Sequence, residues 1–281
     1  MKLGSYCFSF DRGWHLILAT LSRPFTKTNL YAVIIFVIVI VGLQVLLTAL
    51  KVPSYLLPTP SEVGYVLVNP PVNIFANLAV TLYEIVVGFV IALVLATGLA
   101  VITGLSDFIR RVLYPYVLMV HLAPKVAIAP LLIIWFGFGL EPKIIMTFLI
   151  AFFPMFIDTA TGLNAIQPDT LNVVRALGFT KWQIMQKVRI PNALPFIFSG
   201  MKTGITLAVV GAVIVELISS NIGVGYLLLQ GMIGSDTPLI FAMLILISIV
   251  GMALFAVIVI AENLAIPWYI LPRKQYGREE G

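Results

Sequence analysis

The chain has 281 residues, of which 60% are hydrophobic and only 10% are charged, with a mean hydropathy of +1.08. Soluble domains carry about 25% charged residues, so this composition excludes an ordinary water-soluble fold and points to a polytopic membrane protein. The net charge of +5 calls for no nucleic-acid partner, since no basic patch is interleaved with aromatics and membrane topology accounts for the excess.

Residues 1–28 read as a polar cytoplasmic tail. Asp11, Arg12, Arg23 and Pro24 interrupt any apolar run, and no small-residue cleavage pattern follows, which argues against a cleaved signal peptide. The single cysteine, Cys7, falls in this tail and has no internal partner for a disulfide. A transmembrane domain is then expected over 29–270, with a second cytoplasmic tail at 271–281.

Six helical spans are predicted, at 29–50, 76–104, 113–138, 143–164, 193–218 and 238–266. Thr28–Leu50 runs 23 residues without a charge and Thr237–Ala261 runs 25, and each exceeds the roughly 20 residues a helix needs to cross a bilayer. The alternating pattern of barrel strands is absent, so the fold class is all-α. The third span is irregular: Pro124, Lys125 and Pro130 lie inside it, and proline breaks the backbone ladder there. A bend, or a face turned to a cavity, is expected.

Basic residues set the direction. Fourteen of them fall before the first span, between the second and third, around the fourth-to-fifth connection and after the sixth, against Lys51 and Lys143 on the opposite side. This asymmetry places both termini in the cytoplasm. The connections on the far side are short: 51–75 is proline-rich, and 219–238 carries Gly223, Gly225, Gly231 and Gly234. Neither folds as a domain, so capture of a solute outside the cell calls for a second protein.

The fourth-to-fifth connection is polar and patterned. Pro168 and Asp169 open a helix, Leu171, Val174 and Leu177 form a short apolar stripe, and Gly178 stands where a helix ends in a left-handed residue. Thr180 and Gln183 match a capping box, and a second helix with Trp182, Met185 and Val188 runs until Pro191 stops it. The pattern predicts a helix–glycine–helix elbow with exposed apolar side chains. Two uses fit it: a docking surface for a partner, or an amphipathic helix lying on lipid headgroups.

Lys125, Glu84 and Glu216 are charges inside spans, each costing about 2.5–3.5 kcal/mol near a helix centre. They are candidates for lining a translocation path, together with His121, four residues before Lys125. The structural alternative pairs one of the glutamates with Lys125, or lets the lysine reach an interface. Glu216 is expected to be partly solvated near the outer end of its span. The two histidines and the cysteine lack metal-ligand spacing, and no nucleophile–base pair stands out, so neither a metal site nor an enzyme is expected. In the fifth span Gly200, Gly204, Ala208 and Ala212 recur every four residues, a small-residue face for close packing within the subunit or across a dimer.

The elbow resembles the EAA loop of ABC importer permeases. Its glycine is Gly178, nine residues follow, and Val188-Arg189-Ile190-Pro191 fills the end of the pattern, while Asn172-Val173-Val174 replaces the EAA triplet. The resemblance extends to Leu57-Pro58-Thr59-Pro60-Ser61-Glu62-Val63, Pro124-Lys125-Val126-Ala127 with Trp135-Phe136-Gly137, and Gly223-Val224-Gly225-Tyr226. These motifs are similar to the nitrate, sulfonate, taurine and thiamine-precursor branch. The resemblance implies a six-helix type I permease bundle in the inner membrane, and the solute implied is a small anion or a small heterocyclic nutrient. It further implies two cytoplasmic ATPases, a second permease subunit, expected to be a second copy, and an extracytoplasmic binding protein. Asn172, Val173, Val174, Arg175, Ala176, Leu177, Gly178, Phe179, Trp182 and Pro191 become the segment coupled to the ATPase. No phosphate-binding loop occurs in the chain, so ATP and magnesium are expected on the partner. The alternative from another class is a proton-coupled secondary transporter in which Glu84, Glu216 and His121 relay protons.

Overall fold

The computed structural model describes residues 27–70 and 72–268. The predicted tails, apart from Lys27 and Thr28, lie outside the described residues, and so does Cys7. The helices run in the order α1 (Lys27–Ala49), α2 (Pro60–Val68), α3 (Ile74–Leu105), α4 (Asp107–Leu122), α5 (Ala129–Phe136), α6 (Glu141–Asn164), α7 (Pro168–Ala176), α8 (Lys181–Ile184), α9 (Ile190–Ser219), α10 (Val224–Gly234) and α11 (Thr237–Ala265). Among the described residues there is no strand.

Among the described residues, four unbroken helical segments are long and apolar enough to cross a membrane: α3, α6, Lys181–Ile218 and α11. The pair α4 and Lys125–Phe136 reaches that length and apolarity only when its two halves are taken together, and it is bent by 81° at the break. In α1 the apolar stretch Ile34–Ala49 is shorter than that limit. The third span therefore differs from the single helix expected over 113–138. It begins at Asp107 and breaks at Ala123–Pro124, where proline carries no N–H for the ladder and pushes the residue before it into extended backbone. A single 3-10 turn, Lys125–Ile128, then leads into α5, which ends at Gly137 with φ +78°.

The core lies where α6 is held between α3 and α9. Small residues let these backbones approach: Ala92, Ala96 and Ala100 of α3 are fully buried, as are Ala208 and Ala212 of α9. A Cβ on Gly88 would lie 2.7 Å from Thr147, and one on Gly204 would lie 2.6 Å from Met155 Cε. A Cβ on Gly200 would meet the Met155 backbone at 3.0 Å. The stripe Gly200, Gly204, Ala208 and Ala212 is thus turned inward, with its glycines against α6 of the same chain. Packing of this kind relies on shape rather than on hydrophobic transfer, since lipid is as apolar as the helix.

A capping box opens α2. Thr59 accepts from Glu62 N–H while Glu62 accepts from Thr59 N–H at 2.8 Å, and Pro60 occupies the first turn. Gln44 of α1 accepts from Ser61 N–H at 3.0 Å, and Thr237 of α11 donates to Tyr55 O at 2.7 Å. These bonds tie the 51–60 connection to helices at both ends of the chain.

Candidate functional site

Two constructions stand out, an elbow on one end of the bundle and a buried ionic cluster near the other. The elbow is closed by a Schellman motif: Phe179 N–H donates to Val174 O at 3.2 Å and Gly178 N–H to Arg175 O at 3.0 Å. Such a closure needs a left-handed residue, and Gly178 has φ +80° with open space where a Cβ would stand. Thr180 then caps α8, receiving Gln183 N–H on its hydroxyl while Gln183 accepts from Thr180 N–H at 2.8 Å. Val173, Leu177 and Trp182 are 59%, 69% and 51% exposed, and Asn172, Arg175 and Ala176 are exposed beside them. Val174 and Phe179 are half-buried, with Lys187 Nζ 5.7 Å from the Phe179 ring centre.

Pro191 does not stop the second helix. The chain passes from α8 through a π turn, Met185–Arg189, directly into α9. Ile190 N–H reaches back to Met185 O, five residues away, so the turn is widened just before the proline. Pro191 then occupies the first turn of α9, where no intrahelical donor is required. The second helix of the elbow and the long span are one continuous helical body from Lys181 onward. Arg189 fastens it to the end of α3 by donating to Gly104 O at 2.8 Å, and Met185 is buried against the same region. Between elbow and bundle lies a cavity of about 320 Å³ whose lining includes Asp107, Arg175, Phe179, Lys181 and Arg189.

The buried cluster corrects several sequence expectations. Lys143, counted above with the basic residues of the outer face, is 3% exposed and sits in the first turn of α6. Its ammonium donates to Glu84 Oε1 at 2.8 Å and to Ile222 O at 3.0 Å, and lies 4.0 Å from Glu216 Oε1. The glutamates thus pair with Lys143 and not with Lys125. Glu216 is not solvated: like Glu84 it is 0% exposed, and neither faces an open path within this subunit. The desolvation cost of a buried charge is offset here by dense hydrogen bonding.

Glu216 accepts from the Thr81 hydroxyl at 2.7 Å and from Gly225 N–H at 2.8 Å. Thr81 in turn accepts from Val224 N–H at 2.9 Å, and Asn77 Oδ1 from Gly223 N–H at 2.7 Å. The Gly223-Val224-Gly225 motif therefore presents three consecutive N–H groups to α3 and α9. Its glycines are sterically required: a Cβ on Gly223 would collide with the Glu216 carboxyl group, and one on Gly225 would lie 2.5 Å from Glu216 Cβ. Gly223 also has φ +127°, a conformation side chains rarely adopt. The sequence reading missed Asn77, Thr81 and Lys143. The signal available was Thr81 three residues before Glu84, on one helix face of an otherwise apolar span.

His121 and Lys125 lie apart from this cluster, at the break of the third crossing. Lys125 donates to His121 O at 2.6 Å, and its ammonium is 4.9 Å from the centre of the Phe153 ring. The His121 ring lies 5.7 Å from the same ring. Both residues are half-buried, and Phe148, Phe152 and Phe156 continue the row of packed rings along α6. Among the described residues no three His, Cys, Asp or Glu side chains converge as a metal site.

A bundle of long apolar helices with a polar elbow protruding from it is the architecture of a membrane-embedded protein. The chain belongs to the family described as "Binding-protein-dependent transport system inner membrane component", which it matches over residues 88–268. It is 30% identical over 215 residues to the formylaminopyrimidine transport permease protein ThiX of Halalkalibacterium halodurans, covering 76% of this chain and 86% of the relative. It is 32% identical to the putative aliphatic sulfonates transport permease protein SsuC of Bacillus subtilis, over 70% of this chain and 71% of that one. To the taurine transport system permease protein TauC of Escherichia coli it is 26% identical, over 70% and 72%. This protein is accordingly a membrane-embedded ABC importer permease subunit, a transport component and not an enzyme, that works with an ATPase supplied by another chain.

Proposed function

We propose that the chain forms the translocation path for a small organic or inorganic anion, or a small heterocyclic nutrient, delivered by an extracytoplasmic binding protein. Two copies of the chain pair in the inner membrane with both termini in the cytoplasm, and two ATPases dock on their elbows. The chain itself binds no cofactor; ATP and magnesium belong to the ATPases. The single observation that carries this reading is the elbow: a Gly178-centred turn exposing Val173, Leu177 and Trp182, continuous through the π turn with α9. A shape change in the ATPase pair that moves Trp182 moves α9 with it, because the helical run is unbroken from Lys181 onward. Relatives handling formylaminopyrimidine, sulfonates and taurine support the solute class.

His121 and Lys125 are the candidates for meeting that solute. They sit at a break in a span, half-buried, where the Lys125 ammonium beside the Phe153 ring is suited to an anionic group. The sealing of Glu84 and Glu216 favours an ATP-driven path over proton relay, since a relay needs water on both sides of its carboxyls. The decisive experiment reconstitutes the chain in proteoliposomes with and without its ATPase, binding protein and ATP. Uptake only with all components is expected; uptake by the isolated chain under a pH gradient would overturn the proposal. In the same system Leu177→Asp is expected to abolish co-purification of the ATPase while the chain stays at normal levels in the membrane.

A further inference from the structure

The cavity of about 320 Å³ between elbow and bundle is lined by three cations and one carboxylate. Arg175 lies in the last turn of α7, Lys181 opens α8, and Arg189 ends the π turn at the root of the elbow, so the cations stand on both sides of the Gly178 bend. The carboxylate, Asp107, is taken up by Arg110 of its own helix at 3.5 Å. Among the described residues no ion pair involves Arg175, Lys181 or Arg189. Arg189 is half-buried and commits one N–H to Gly104 O. Like charges gathered around one space repel, and the repulsion is relieved when an anion enters.

Depth and floor narrow the choice of anion. The membrane-crossing helix α3 has 32 residues and ends at Leu105, on the cavity wall. At 1.5 Å per residue it is about 48 Å long, against about 30 Å of hydrocarbon and about 40–45 Å with headgroups, so its end reaches the headgroup layer. The cavity floor is apolar: Ile184 is buried, and Leu105 and Phe179 are half-buried. Trp182, a residue type favoured at this level of a membrane, is exposed next to Lys181. A free inorganic anion gains nothing from such a floor. A phospholipid brings a phosphate for the cations and a glycerol base for the apolar side chains, and exposed Phe108 and Val112 on α4 offer its chains a surface to lie against.

We propose that this cavity binds the phosphate of an anionic phospholipid, held by Arg175, Lys181 and Arg189, and that the bound lipid braces the elbow against the ends of α3 and α4. The planar fork of each guanidinium matches the geometry of phosphate oxygens. Because the cations come from both arms of the elbow, one headgroup ties both arms to the bundle. The site requires only that the chain is embedded in a bilayer; it depends neither on the solute nor on transport.

The test is native mass spectrometry of the full-length chain in detergent, alone and with its ATPase, with phosphatidylglycerol or phosphatidylcholine added. Phosphatidylcholine carries the same phosphate but cancels its charge. Preferential retention of phosphatidylglycerol is expected. Arg175→Gln and Lys181→Gln should each weaken it about fivefold, and the double variant about 25-fold. Both side chains are exposed, so neither change disturbs the packed core. Arg111→Gln removes the same charge from an exposed position of α4 outside the cavity and should leave retention unchanged. Equal retention of the two lipids, or an equal loss in Arg111→Gln, would overturn the proposal. Displacement of the lipid by inorganic phosphate at the same concentration would also overturn it, since the site would then serve a soluble anion. Expulsion of the lipid when the ATPase binds would do the same, by giving the cavity to that contact.

Discussion

Gly178 offers a way to separate backbone geometry from bulk at the elbow. Its φ is +80°, and nothing lies within 4 Å of the position a Cβ would take. Added volume therefore meets no clash, and the cost of a substitution is the cost of the left-handed conformation alone. That is about 1–2 kcal/mol for an ordinary L-residue, less for asparagine, which visits this region readily, and more for a β-branched residue. Proline is the extreme case. It fixes φ at about −65°, on the wrong side of zero, and it deletes the Gly178 N–H bond to Arg175 O.

These costs fall on a turn between one helix of nine residues and one of four, so they redirect the elbow without unfolding the spans. Membrane levels should stay unchanged across the series, while co-purification of the ATPase falls in the order Gly, Asn, Ala, Val, Pro. Asparagine is larger than alanine, so the position of Asn in this order discriminates between the two explanations. A ranking by volume, with Gly178→Asn retaining less ATPase than Gly178→Ala, would refute the conformational argument, and a Gly178→Pro variant that retains the ATPase would refute the docking role itself.

Lys143→Met removes a buried cation that serves Glu84 and Ile222 O. The loss expected for breaking such a pair is about 3–5 kcal/mol, read as a lower melting temperature, with partial recovery in the Lys143→Met/Glu84→Gln double variant. Gly204→Leu drives a side chain into Met155, 2.6 Å from the first added carbon, and should reduce folded yield on size-exclusion chromatography; unchanged yield would remove α6 as the neighbour that matters. The Glu62 carboxyl is held below the usual carboxylate range by the Ser54 hydroxyl first and by Thr59 N–H next. Its folded state binds a proton less readily than its unfolded state, so its contribution is full above the unfolded pKa and is lost as pH falls through the folded one. Melting curves in mild acid should show this slope, and Glu62→Gln should flatten it.

The parts of this molecule visible in the sequence were those governed by neighbours along the chain. The capping box at Thr180, the left-handed Gly178 and the helix start at Pro168 involve contacts three to six residues apart, and each can be read from a window of that size. What the sequence concealed was set by residues far apart. Lys143 reads as a loop lysine beside Pro142, and only the packing of α3 and α9 on α6 turns it inward to meet Glu84 and Glu216. Pro191 reads as a stop signal because the ladder rule assumes α geometry; the π turn before it widens the helix and lets the chain continue. The glycines at 223 and 225 read as turn residues, and their stricter reason, the Glu216 side chain packed against them, belongs to another element.

The clasp around residues 223–225 is made by main-chain amides, and amides are the same whatever side chain follows them. Ile222, which is exposed, and Tyr226, which is half-buried, can therefore be exchanged for residues of other shape and polarity without undoing the knot, provided the two glycines and the buried Val224 stay. A lineage could retune what this rim of the protein touches while keeping its chassis fixed.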